Sequence, residues 1–220
     1  MNSINATKIL SCGHWQRWFL GLYLSLENRK EEGEGDKQIN VAQAMVADII
    51  SCLYSQLLLR VRNGYQQWRV TLKLLEYHPN RIPILRQLLT LSFRRLQSEL
   101  QQQLRTDKKM PSATVDNIIF TFQLVDQWIL PNKNPVMKGN NAQESQIEKE
   151  IEERNNILKS ICKIYDLLRS LDGVVKKRDG EIHQRAVPIL RLLTRLLPFT
   201  PKSSILSMLE LLLNIVALDI

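Results

Sequence analysis

Cys12, Gly13 and His14 stand side by side, and a thiolate next but one to an imidazole is how many zinc sites begin. Tetrahedral zinc needs four ligands, and no second pair completes this one. His78 and His183 lie far off along the chain, as do Cys52 and Cys162. The carboxylates Glu148, Glu150, Glu152 and Glu153 could attract a cation, but four acids on one helical stretch more often solvate an outer face. No glycine-rich phosphate loop is present. Gly33 and Gly35 sit among acidic residues that would repel a phosphate. No serine or cysteine stands in a nucleophile-elbow pattern. The sequence therefore predicts no enzyme, no cofactor and no metal.

Charge is the stronger signal. The net charge is +8 over 220 residues, and the excess is uneven. Between Arg60 and Lys109 stand Arg60, Arg62, Arg69, Lys73, Arg81, Arg86, Arg94, Arg95, Arg105, Lys108 and Lys109, against only Glu76, Glu99 and Asp107. A second basic stretch holds Lys176, Lys177, Arg178, Arg185, Arg191, Arg195 and Lys202. Such a field favours an acidic protein face, a nucleic acid or an anionic membrane surface. It is equally what solvated outer helix faces look like. The candidate contacts for an acidic partner or nucleic acid are Arg86, Arg94, Arg95, Arg105, Lys108, Lys109, Lys176, Lys177 and Arg178. Aromatic residues interleave poorly with these cations, so contact to a phosphate backbone is the natural nucleic-acid mode.

The elements that carry these side chains read as helices. Hydrophobic residues make up 44% of the chain and charged residues 24%, which is ordinary globular usage. Glycine and proline are scarce at 8 each, and alternating β-branched runs are absent. The pattern predicts an all-α chain of about eight helices packed as antiparallel hairpins, either a HEAT/armadillo-like solenoid or an irregular helical bundle. Residues 1–220 read as a single helical domain, or as the N-terminal part of a longer helical protein.

Helical periodicity places the first helix over His14–Arg29, with Trp15, Trp18, Phe19, Leu22 and Leu26 on its core face. A loop over 30–38 follows. Asn40 is the expected cap of a helix from Val41 to Arg62, closed by Asn63 and Gly64. Further helices are expected over Tyr65–Tyr77, over Arg81–Arg105 with Pro83 in its first turn, and from Ser112 or Thr114 to Leu130. A polar loop over 131–143 precedes helices near 144–171, 181–197 and 203–219.

The last of these has almost no polar side. Ser203, Ser207, Glu210 and Asn214 make one narrow stripe, and nearly everything else is apolar. Such a helix needs cover on nearly all sides, from its own domain, from another subunit or from chain past Ile220. It is short for a membrane span and carries Glu210 near its centre. Leu206, Leu209, Leu212, Leu213 and Val216 are its candidate partner-binding residues. The three cysteines are odd in number and far apart, which suits reduced thiols in the cytoplasm or nucleus. The expected role is a non-catalytic helical interaction module, a scaffold or a subunit of an assembly, with homo-oligomerisation as one form of it. A basic domain holding nucleic acid through phosphates is the alternative.

Overall fold

Burying long apolar stripes while satisfying every backbone group favours helices, and helices are what form. The computed structural model describes residues 3–31, 37–106 and 111–128. Beyond them it describes 152–153, 156–157, 159–165, 167–168, 171, 191, 194, 206, 209–210 and 213. The helices are α1 (Ser3–Leu10), α2 (Trp15–Glu31), α3 (Lys37–Arg60), α4 (Gln66–Leu74), α5 (Arg81–Arg105) and α6 (Ser112–Trp128). Most of the later described residues are also helical, and no strand occurs among the described residues. The chain is all-α. It divides into two compact units, Met1–Leu96 and Gln97–Ile220, with the division inside α5.

In the first unit α3 is the central element, and α1 and α2 both pack on it. Its second half is buried without a break from Ile50 to Leu59. α2 runs antiparallel to α3: Trp15 at the start of α2 meets Tyr54, and Glu27 near its end accepts a hydrogen bond from Gln43. α4 then folds back along α3, bringing Trp68 and Thr71 to Tyr54. By length and composition α3 could cross a membrane, yet most of its apolar window is covered by this unit. Core burial accounts for that apolarity.

Several expectations are corrected here. α1 has no counterpart in the periodicity reading; it is only eight residues long and buries Ala6. α3 starts at Lys37, so Asn40 lies within the helix and does not cap it. The helix gains that turn because Ile39 joins Gln43, Val46 and Ala47 on the buried face. Of the loop expected over 30–38, residues 30–31 and 37–38 are helical, and the rest lies outside the described residues.

The buried face of α2 is Trp15, Gln16, Leu20 and Tyr23, while Trp18 is 72% exposed and Leu22 is exposed too. Counting apolar positions misses this face because two of its members are polar. Gln16 donates to the Gln67 side chain, and the Tyr23 hydroxyl donates to Gln87 Oε1 at 2.6 Å.

The α3–α4 corner follows expectation. Asn63 takes φ 58°, the left-handed value that ends a helix, and Gly64 follows it. A Cβ on Gly64 would lie 2.2 Å from the Leu57 carbonyl oxygen, so only glycine fits. α5 spans the predicted range, with Pro83 in its first turn. There the missing amide hydrogen costs nothing. Buried hydroxyls along these helices turn back onto their own backbone. Ser92 donates to the Leu88 carbonyl at 2.7 Å and Ser55 to the Cys52 carbonyl at 2.9 Å.

In the second unit α6 buries Val115, Ile118, Ile119, Phe122 and Val125. Of the other apolar side chains on this helix, Leu124 is buried and Phe120 exposed. The Pro111 carbonyl accepts the amide of Thr114 at 2.9 Å, so the helix is entered from Pro111 and neither Ser112 nor Thr114 is its cap. Ile161, Ile164, Tyr165, Leu168 and Leu171 are buried, as their spacing predicts. Gln97 Nε2 donates to the Ser160 carbonyl at 3.2 Å. The loop expected over 131–143 lies outside the described residues.

Candidate functional site

The predicted basic contacts do not form one uniform surface. Arg86 is buried, at 3% exposure, although its place off the leucine stripe of α5 predicts an outward side chain. It therefore presents no charge to a partner. Arg94 and Arg105 are exposed. Arg95 is half-buried and pairs with Asp48 of α3: its Nε donates to Oδ1 at 3.2 Å while its terminal nitrogen meets Oδ2. That fork-on-fork geometry takes its charge up within the first unit. Lys108, Lys109, Lys176, Lys177 and Arg178 lie outside the described residues.

The exposed cations cluster elsewhere. Arg60 closes α3, Arg62 lies in the turn after it, Arg69 and Lys73 stand one turn apart on α4, and Arg81 opens α5; all are exposed. The one carboxylate between Arg60 and Arg81 is Glu76. Arg81 donates to the Glu76 carbonyl oxygen at 3.0 Å, which ties the start of α5 to the end of α4. Between the cations run exposed apolar side chains, Val70 and Leu74 on α4 and Tyr77 just past it, the last 92% exposed. Val70 and Leu74 share a face at the i,i+4 spacing. The helix end then tightens, with the Glu76 amide donating to the Lys73 carbonyl at 3.3 Å. Tyr77 lies in the turn that follows, three residues on from Leu74. In the sequence these cations form one broad field; the apolar stripe among them follows from the burial of Trp68 and Thr71 on α4 and of Leu75 just past it.

Behind that surface lies an aromatic cluster. Tyr54 is wholly buried, with Trp15 edge-on to its ring at 5.4 Å and Trp68 stacked on it. Its hydroxyl hydrogen-bonds the Thr71 hydroxyl. Burial pushes the Tyr54 phenol far above its usual range. Two buried atoms here make no hydrogen bond, Trp68 Nε1 and Gln56 Oε1. The cluster reads as the packing that fixes α4 on α3. Among the described residues no group of three or more His, Cys, Asp or Glu is placed to hold a metal. Cys12 is exposed, Cys162 half-buried and Cys52 buried.

The candidate partner-binding leucines of the last helix lie only in part among the described residues. Leu206 is 71% exposed and Leu213 66% exposed, and Leu209 and Glu210 are exposed as well. Positions 206, 209 and 213 share one helix face. Among the described residues of this helix, Leu206, Leu209 and Leu213 thus present an exposed apolar face alongside Glu210. Leu212 and Val216 lie outside the described residues. Comparison with protein-family models, with curated proteins and with solved structures finds no match to this chain.

Proposed function

We propose that this chain is a non-catalytic helical interaction module, a scaffold or a subunit of an assembly working in the cytoplasm or nucleus. The observation that carries the reading is the open leucine face at Leu206, Leu209 and Leu213. Apolar faces left open on a folded chain are what protein interfaces use. The antiparallel α2–α3 pair and the short α3–α4 and α4–α5 corners suit a stack of helical hairpins. A HEAT/armadillo-like arrangement is the form of that stack proposed here. The nucleic-acid alternative draws on Arg94, Arg105 and the exposed cations between Arg60 and Arg81, without Arg86 and with Arg95 already paired.

The test is the double variant Leu206→Asp/Leu213→Asp. Both side chains face solvent, so the fold should persist, with stability changed by no more than about 0.5 kcal/mol. Sedimentation should show the wild-type chain self-associating, or co-purification should yield a defined partner, and the variant should lose either behaviour. A wild-type chain that stays monomeric and retains no protein, or a variant that associates as wild type does, would overturn the reading. Charge reversal at Arg94 and Arg105 addresses the alternative: steeply salt-dependent duplex or RNA binding, lost in that variant, would favour it.

A further inference from the structure

We propose that the outer face of α4 is a second docking surface, and that its ligand is an acidic amphipathic helix of a partner protein. The inference rests on the reading of the chain as an interaction module and adds a named surface and a ligand chemistry to it.

The surface has two components. Val70 and Leu74 give α4 an exposed apolar ridge at i,i+4 spacing, and Tyr77, exposed in the turn just past the helix, adds a third large apolar side chain to this region. Arg69, Lys73 and Arg81 accompany that ridge, with Glu76 the only acid in this stretch. The inner face of the same helix is buried, at Trp68 and Thr71 with Leu75 just past it. The ridge is therefore surplus to the folding of the unit: burying it would need a second body. A helix of nine residues is about 14 Å long, enough for two to three turns of a ligand helix.

Charge complementarity selects the ligand. Five exposed cations between Arg60 and Arg81 set a positive field, so the ligand carries carboxylates. The ridge asks in addition for apolar anchors at i, i+4 and i+7, the spacing of an amphipathic helix laid against an apolar strip. A nucleic-acid backbone offers no counterpart to Val70 and Leu74. A bilayer interface takes an apolar face buried about 5–10 Å deep. α4 is short and clamped along its inner face, which suits a protein ligand better.

The experiment selects helix-biased peptides from a phage-displayed library on the full chain and measures the recovered peptides by fluorescence anisotropy. Twenty-nucleotide RNA and phosphatidylserine vesicles are run as separate arms. Expected are peptides with net negative charge and apolar residues at i, i+4 and i+7. Their affinity should fall at least tenfold in Tyr77→Ala and in Arg69→Glu/Lys73→Glu, and several-fold on raising salt. Far-UV circular dichroism and the urea midpoint establish that these surface variants fold.

Neutral or basic peptides, peptides indifferent to the α4 variants, or no peptide at all would overturn the proposal. So would RNA or vesicles binding more tightly than any peptide and losing that binding in the same variants. Peptides lost on Leu206→Asp/Leu213→Asp but not on the α4 variants would sink the α4 site and leave the interaction-module reading standing. If neither face binds protein, both fall.

Discussion

The indole of Trp68 lies on the ring of Tyr54, with centroids 3.8 Å apart and planes 15° from parallel. The stack joins α4 to the middle of α3, and Trp15 of α2 closes it edge-on. Three helices thus meet at one phenol.

Truncating that stack should be costly. Trp68→Ala removes a large buried ring stacked on Tyr54, and should cost about 3–5 kcal/mol in urea unfolding. Tyr54→Phe keeps the ring and removes the hydroxyl contact to Thr71, at about 1 kcal/mol. Equal costs for the two variants would show that the ring packing is not what holds α4.

Alkaline pH should destabilise the first unit. Burial, and then the neighbouring Glu27 carboxylate, push the Tyr23 phenol up to about 12. Burial raises Tyr54 still further. In the unfolded chain both ionise near pH 10 (about 10 for free tyrosine). Above that pH the unfolded state binds fewer protons than the native state. The stability contributed is therefore complete below about pH 10 and falls as pH rises. For Tyr23 the fall runs from about 10 to about 12, and for Tyr54 it continues beyond. Urea midpoints between pH 8 and 11.5 should decline, and Tyr23→Phe should flatten the decline. A flat wild-type profile would contradict the assignment.

Gly64 should tolerate no side chain. Gly64→Ala puts a methyl group against the Leu57 carbonyl, which is backbone and cannot rotate aside. A loss of at least about 2 kcal/mol is expected. Asn63→Gly, at a left-handed position any glycine accepts, should change stability by only a few tenths of a kcal/mol, roughly. Similar effects from both would place the constraint elsewhere.

Thiol reactivity should separate the cysteines. Cys12 is exposed and should react with a disulfide reagent within the mixing time of the folded chain, whereas Cys52 is buried and should wait for unfolding. Cys12→Ser should remove the fast phase. A fast phase surviving that substitution would mean either that Cys52 is reached without unfolding or that half-buried Cys162 supplies it.

The helices were largely legible because their apolar spacing is strong. α5 falls on its predicted range; α3 ends at Arg60, two residues short of its expected end, and Asn63, left-handed as its chemistry allows, turns the chain with Gly64 into α4. What spacing could not show is which polar side chains go inside. Gln16, Gln43 and Arg86 are buried, and each turns or extends a face that apolar counting drew differently. Pairings between distant residues were equally out of reach. Nothing local to Arg95 marks Asp48 as its partner, 47 residues away. The residue types of the last helix demand cover on nearly all sides, and what covers it depends on packing that spacing does not encode; Leu206 and Leu213 are exposed.

The glycine corner has a consequence for timing. With Gly64 pressed against α3 and Trp68 stacked behind it, α4 is held before any ligand arrives. A surface prepared in this way need not reorganise on contact, so little ordering entropy opposes binding. Arrival should then be governed by collision and charge, and ligands should differ chiefly in how long they remain.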